Sequence, residues 1–445
     1  HLPSRPPTDT MHDLSLSHIA AQLQGYDPNS LRAADVNRFL ERLVTPVQDT
    51  EALGIFDALG RVLADDLVSP ISVPPHDNSA MDGFAFDGQA LQAGLPLRLR
   101  VVGSVLAGSI WQGTAGPGDA VRITTGAVMP AGLDTVVPQE LAQCADETVT
   151  IPADLLRRGD NRRLLGEDLM QGQPALRRGE RLGPAALGLI ASLGVARVKV
   201  WRRLRVAYFS TGNEILSFGE PPRSGAVYDS NRYTVFGMLS RLGVEVVDLG
   251  VVRDEPQALE AAFLDAANRA DAIITSGGVS VGEADYTKAM MRKLAGGSGG
   301  VAFWRIAMRP GRPMAVGRIA APGGAGGRSA VLFGLPGNPV AVMVTFLAFV
   351  RPALLQMMGA RATDTPLLRA RSAEAIRKKP GRTEYQRGTV TSDGQGVLQV
   401  ATTGNQGSGV LSSMVQANGL IVLHHDQRDV APGDEVDVMM FDGAL

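Results

Sequence analysis

Residues 270–288 read ADAIITSGGVSVGEADYTK, and the fold turns on how that stretch is built. Ala272-Ile273-Ile274 is a short apolar run with β-branched residues, the kind that forms a buried strand. Thr275-Ser276 lead into Gly277-Gly278, where the missing Cβ lets the backbone turn sharply. Gly282 permits a second change of direction, and Asp285 is suited to cap a following helix. A strand, a glycine loop and a helix start present backbone N–H groups and a positive helix end, which suit a phosphate. A glycine pair after a strand more often marks a plain tight turn. This one gains weight from what surrounds it.

From Leu204 onward the same unit repeats. A strand over 204–209 runs into Ser210-Thr211-Gly212-Asn213-Glu214, and a helix over 233–242 ends at Gly243. A strand over 244–252 runs into Arg253-Asp254, followed by a helix over 257–268. A later strand, 330–333, runs into Gly334-Leu335-Pro336-Gly337-Asn338-Pro339 and an apolar helix. This alternation predicts a mainly parallel sheet with helices on both faces. Ligands of such sheets sit beyond the carboxyl ends of the strands. Glu214, Asp254, Asp285 and Asn338 all follow strands, so they are expected to converge on one crevice. Arg305, Arg309 and Arg312 lie in RIAMRPGRP, and guanidinium forks match oxyanions bidentately. A basic surface loop explains them equally well. The glycine-rich pieces 296–300 and 322–327 read as flexible turns.

The flanks differ in character. The region up to Pro28 is expected to be a loose tail. Ser30–Leu43, with Val36, Phe39, Leu40 and Leu43, reads as an amphipathic helix, as does Asp49–Leu63, with Leu53, Phe56, Leu59, Val62 and Leu63. Pro74-Pro75 end any helix. The loop DNSAMDG at 77–83 is open to two readings: a well-ordered turn of Asx and Ser side chains, or a site for a metal or a general base. Leu97–Val149 has the alternation and turns of an all-β segment. RRLLGED at 162–168 reads as a solvated turn. Pro184–Leu193 is an apolar helix with proline in its first turn, closed by Gly194. After Gly359 strands return, over 384–391, 397–402, 419–423 and 435–441, with a polar loop TGNQGS at 403–408. The predicted class is a multidomain α/β protein. It has a tail (1–29), a small helical or mixed linking domain (30–73 with 169–203) and an inserted β domain (74–168). An α/β domain (204–356) and a C-terminal β barrel (357–445) complete it.

Composition bounds the rest. The 445 residues are 44% apolar with a net charge of −2, enough for several cores and without the basic arm of a nucleic-acid binder. One cysteine, Cys144, excludes an intramolecular disulfide and fits a reducing compartment, so the cytoplasm is the expected location. The longest apolar run, Val340–Val350, stops at Arg351-Pro352 and is short for a bilayer span. No signal-peptide pattern opens the chain. Six histidines without HExxH spacing or a cysteine cluster give no zinc site, and neither GxSxG nor a Walker loop is present.

The motifs DNSAMDG (77–83), STGNE (210–214), YDSNR (228–232), SGGVSVGEADYTK (276–288), MRPGRP (308–313) and GLPGNP (334–339), in this order, resemble those of the molybdopterin molybdenumtransferases. These are the molybdate-inserting enzymes of molybdenum-cofactor synthesis, related to the E domain of gephyrin. The resemblance runs from about Asn29 to the C-terminus. It implies a homodimer whose α/β domain holds adenylated molybdopterin and whose partner subunit brings Asp82 and Thr125 to the cleft. It also implies molybdate as co-substrate, release of AMP and Mg2+ as cofactor. Asp82, Thr125, Glu214, Asp254 and Asp285 would be catalytic, with Glu214, Asp254 and Asp285 ordering the metal. Asp168 matches a family acidic position. Gly277, Gly278, Ser280 and Lys288 would frame phosphates, Pro336 and Pro339 would shape the wall, and Ser408 would line the cleft. Arg305 and Arg309 stand where the family usually has lysines, so charge is kept but a planar fork replaces a point charge. The adenylyltransferase of the same pathway is a further candidate partner. Two alternatives remain at this stage: that adenylyltransferase activity itself, and a gephyrin-like scaffold.

Overall fold

The computed structural model describes residues 15–280, 286–296, 300–323 and 327–443. Asp285, Gly282 and the first fourteen residues lie outside them, as do the centres of both glycine-rich pieces.

The central sheet has six strands in the order Glu245–Val252, Arg205–Thr211, Ala272–Ser276, Ser329–Leu335, Pro313–Ala320, Val301–Arg305. The first four run parallel, the fifth runs antiparallel to them, and the sixth pairs antiparallel with the fifth. Alternate residues serve opposite faces, as strand periodicity requires. Val206, Tyr208, Ile274 and Phe333 join one core, and Ala207, Phe209, Ile273 and Leu332 the other. Helix Pro256–Arg269 covers the second face through Leu259, Phe263, Ala266 and Ala267. The first face is covered by Asn231–Leu242 and by an apolar helical stretch, Pro339–Met357, most of which is buried.

That stretch is longer than its sequence suggested. Pro352 has no N–H, and its ring would clash with the carbonyl four residues back in a regular α-helix. A π-helical turn over Phe346–Val350 precedes it and carries the helix past this point. Its 19 residues are long and apolar enough to cross a membrane by composition, but most of them are buried inside the protein, as in the core helix of a globular domain.

Two expectations for the N-terminal region are corrected. Helix Leu16–Gln22 forms where a loose tail was expected, because Leu16, Ile19 and Leu23 have a core to enter. Tyr26 stacks on Phe39, Phe39 meets Trp304 edge-on, and Trp304 Nε1 donates to Tyr26 Oη at 2.9 Å. Helix Ala33–Leu43 inserts Val36, Phe39, Leu40 and Leu43 into the same core. Asp49–Leu63 is not a helix. Thr50–Gly54 is a strand paired antiparallel with Arg197–Trp201, followed by a single 3-10 turn. Gly60 then adopts φ +76°, and Phe56 and Leu59 of the supposed apolar stripe are exposed.

That strand pair, with Leu67–Val68 against Pro174–Leu176, joins the two pieces of chain that flank the inserted domain. The insertion holds a six-stranded sheet. Within it Gly83–Phe86 turns Phe84 and Phe86 to one core and Ala85 to the other. The C-terminal strands Thr383–Ser392, Leu398–Thr402, Leu368–Ser372, Glu435–Met440 and Gly419–Leu423 pair in that order, and the last pairs back to the first. This closes a five-stranded barrel. A two-residue strand, Met308–Arg309, adds in parallel to Thr383-Glu384 and stitches the barrel to the sheet domain.

Candidate active site

The parallel strands end at one edge of the central sheet, and Pro313, the start of an antiparallel strand, lies at that same edge. A cleft of about 980 Å³ opens there. Strand order dictates its layout. The strands Glu245–Val252 and Arg205–Thr211 lead to Asp254 and Glu214, the third leads to Gly277-Gly278, and the fourth leads to Pro336–Pro339. The fifth is preceded by Arg309 and Arg312, joined by Arg382 of the barrel. Three strand spacings separate Glu214's strand from the fifth, which Arg309 and Arg312 precede, or about 14 Å. The carboxylates and the guanidinium groups therefore occupy opposite ends.

The glycine loop is built for close approach. Gly277 has φ +88°, and a Cβ there would lie 2.7 Å from Thr211 O. Gly278 has φ +73°, and its Cβ would sit 2.6 Å from that of Thr287. The N–H of Gly277 is already engaged, donating to Leu335 O at 3.1 Å. Ser280 lines the cleft, while Lys288 does not: its Nζ donates to Ser280 O at 2.6 Å and so braces the loop from behind.

Asp254 is half-buried and accepts from Thr287 Oγ1 at 3.2 Å. Glu214 is exposed to the cleft. Among the described residues no group of three or more His, Cys, Asp or Glu side chains could cage a metal ion. Magnesium asks less, since one or two carboxylates together with substrate phosphates suffice. Glu214 and Asp254, neither in an ion pair with another described side chain, meet that smaller demand.

At the other end, Arg309 and Arg312 are exposed and likewise have no ion-pair partner among the described residues, whereas Arg382 Nε donates to Glu384 Oε1 at 2.9 Å. Arg305 does not line the cleft. It faces an adjoining cavity of about 240 Å³ that shares Arg312 and Arg382 with it. The loop at 403–409 reaches in from the barrel. Asn338 Nδ2 donates to Ser408 Oγ at 2.9 Å, and Val340 N to Ser408 O at 3.0 Å, so Ser408 fastens the barrel to the start of the apolar helix.

Several cleft residues were not singled out from sequence. Asp229, Asn231, Ser210 and Gln406 all line the cavity. Asp229 and Asn231 belong to YDSNR, a motif that signalled only a resemblance. Asn231 Nδ2 donates to Gly337 O at 2.8 Å and ties that motif to GLPGNP.

Asp82, Thr125 and Asp168 lie on the inserted domain and do not line this cleft. Asp82 Oδ1 accepts from Thr125 N at 2.7 Å and Thr125 Oγ1 at 2.8 Å. Those two bonds, the backbone N–H first, hold the exposed Asp82 carboxyl below its ordinary value. The RRLLGED segment packs beside them: Arg162-Arg163 pair with Asn78-Ser79, and Leu165 N donates to Asp77 Oδ1 at 2.8 Å.

A parallel sheet with a bipolar strand-end cleft, an inserted β domain and a C-terminal barrel define a multidomain α/β protein that binds its ligand beyond the strand ends. Family models match along the chain: the MoeA N-terminal region (domains I and II) over residues 32–194, the probable molybdopterin-binding domain over 207–356, and the MoeA C-terminal region (domain IV) over 369–441. A molybdopterin molybdenumtransferase of Haemophilus influenzae is 40% identical over 410 residues, covering 92% of this chain and 98% of that protein. One from Bacillus subtilis is 33% identical, covering 88% and 90%. The crystal structure of a molybdopterin biosynthesis MoeA protein from Pyrococcus horikoshii is similar with a TM-score of 0.75 at 25% identity, over 93% of this chain and all of that one. The chain belongs to the molybdopterin molybdenumtransferase family, and is a transferase of molybdenum-cofactor biosynthesis.

Proposed function

We propose that this protein inserts molybdate into the dithiolene of adenylated molybdopterin, cleaving the adenylate and releasing AMP. The observation that carries this reading is the bipolar cleft: carboxylates at one end, guanidinium groups at the other, a glycine loop between them. A pyrophosphate-linked substrate and a tetrahedral oxyanion are both anionic, and they need different neutralising groups. The phosphoanhydride lies toward Glu214 and Asp254, which would hold Mg2+ with the substrate phosphates. Bound there, the ion would neutralise charge on the bridge to be broken. Gly277, Gly278 and Ser280 form the floor against which the phosphates rest. Arg309 and Arg312 orient molybdate, their forks matching its oxygens. Pro336, Pro339 and Ser408 fix the wall, and positioning of the reactants does the rest.

Asp82, Thr125 and Asp168 enter from a second copy of the chain in a homodimer. A depressed carboxyl such as Asp82 stays ionised and can hold the attacking water or oxyanion. The test is AMP release from adenylated molybdopterin with and without molybdate. AMP should appear only with molybdate, one per cofactor formed. AMP release indifferent to molybdate would defeat the reading, and pyrophosphate formed from ATP and molybdopterin would point to an adenylyltransferase instead.

A further inference from the structure

Beneath the cleft runs a chain of hydroxyl groups that the mechanism above leaves idle. The Asp229 side chain is buried, 7% exposed. Its carboxylate accepts from Ser210 Oγ, 3.1 Å from both oxygens, and from Arg232 N at 3.2 Å. Ser210 Oγ is 2.8 Å from Tyr208 Oη, which is 2.7 Å from Ser276 Oγ. Ser276 and Ser210 are themselves 3.5 Å apart, a poor direct bond, so the phenol is the link. Tyr208 is fully buried, whereas Ser276, Ser210 and Asp229 all line the cleft. Ser276 is the last strand residue before Gly277-Gly278.

Each hydroxyl has one proton to donate. An ionised Asp229 can only accept, so Ser210 donates to it, Tyr208 to Ser210, and Ser276 to Tyr208. Ser276 then turns lone pairs toward the cleft, where they oppose an anion. A proton on Asp229 reverses the order. Asp229 donates to Ser210, Ser210 to Tyr208, Tyr208 to Ser276, and the Ser276 hydroxyl is free to donate into the cleft.

We propose that anion binding beside Ser276 is coupled, through Tyr208 and Ser210, to uptake of one proton by Asp229. The proton comes from solvent, and no bond in the ligand is made or broken. The inference rests on the reading of the glycine loop as a phosphate site, because the anion in question is a phosphate held there. Burial raises the Asp229 carboxyl above its ordinary value, which brings the protonated form nearer to working pH. Of the charged groups that act on it, Arg232 on the following helix favours ionisation and Asp248 on the neighbouring strand opposes it. Those two are themselves paired, Arg232 Nη2 to Asp248 Oδ2 at 2.8 Å. Glu214, Asp254, Arg309, Arg312 and Arg382 share the cleft with it. Burial pushes the Tyr208 phenol up, so it keeps its proton throughout.

The experiment is calorimetric titration of AMP into the full chain between pH 5 and 8, in buffers of different ionisation enthalpy, with Asp229→Asn and Tyr208→Phe alongside. The phosphate of AMP titrates near pH 6 in every sample (~6), so what is read is the difference between wild type and variants. Wild type should lose affinity with rising pH more steeply than Asp229→Asn, by up to about tenfold per pH unit, and take up close to one extra proton per AMP bound. In Asp229→Asn the amide N–H donates to Ser210 at every pH, so binding persists without the extra slope or proton. Tyr208→Phe cuts the chain and should lose the coupling as well. It decides the matter if Asp229→Asn does not fold: a wild-type slope retained in Tyr208→Phe overturns the proposal. Identical slopes and proton counts in all three proteins also overturn it, while leaving the phosphate site intact. A wild-type chain that binds no AMP at any pH overturns both.

Discussion

Asp82 and Thr125 are separated by 43 positions yet share two hydrogen bonds within the inserted domain. The bonds favour the ionised carboxylate, so the contact is complete above the ordinary carboxylate value and is lost as pH falls through the depressed one. Thr125→Val keeps the backbone donor and removes the hydroxyl. The Asp82 carboxyl should then rise part of the way back, and the acid limb of AMP release should move to higher pH. Carboxyl NMR read beside the rate profile checks both; a limb that stays put would mean another group sets it. In the sheet-domain cleft, Arg309 is an exposed guanidinium with no ion-pair partner among the described residues. Losing one charge-assisted contact of about 1.5–3 kcal/mol should raise the KM for molybdate tenfold or more in Arg309→Ala. Affinity for AMP should change far less, and an equal loss of both would remove Arg309 from the oxyanion end.

Elements were legible in the sequence where their pattern was local. The strand read at 272–274 and the helix read at 257–268 follow from apolar period and flanking turns, and they form as Ala272–Ser276 and Pro256–Arg269. So did the placing of Glu214, Asp254 and Asn338, because strand ends in a parallel sheet share one edge. The failures have a common cause. Leu53, Phe56, Leu59 and Val62 have helical spacing, but Thr50–Gly54 is claimed by a strand nearly 150 positions away, and no local pattern announces that partner. Asp229 follows a two-residue strand, Val227-Tyr228, too short for any periodicity, and Arg382 and Gln406 reach the cleft only because the barrel docks there. Arg305 and Arg309 looked alike in RIAMRPGRP, yet one ends a strand beside a separate cavity and the other sits in the barrel seam. The glycine loop itself makes a sharp prediction. Gly278→Ala would force a Cβ into Thr287 at φ +73°, costing about 1–3 kcal/mol of stability. The same collision displaces the hydroxyl that Asp254 accepts from. Chemical denaturation should show the loss, and AMP release should fall further than in Thr287→Val, which deletes the hydroxyl alone. A Gly278→Ala protein as stable as wild type would mean the loop is not held as described.

At the scale of the whole molecule, the chemistry is divided. Glu214, Asp254 and Arg309 belong to the sheet cleft, whereas Asp82 and Thr125 ride on an insertion that does not line it. If two copies complete each other's sites, every site takes Glu214 from one chain and Asp82 from its partner. Asp82→Ala and Glu214→Ala homodimers should each retain their fold and dimer but release almost no AMP. Mixed in equal amounts after dissociation and reassembly, half of the dimers are heterodimers, and each of these has one site with both carboxylates and one with neither. Activity should return to about a quarter of wild type. Were Asp82 to act within its own chain, no heterodimer site would hold both carboxylates and nothing would be restored. Co-expression of the two variants under different affinity tags, with the doubly tagged species isolated, sharpens the comparison: about half of wild-type activity per heterodimer if the site is shared, none if it is not.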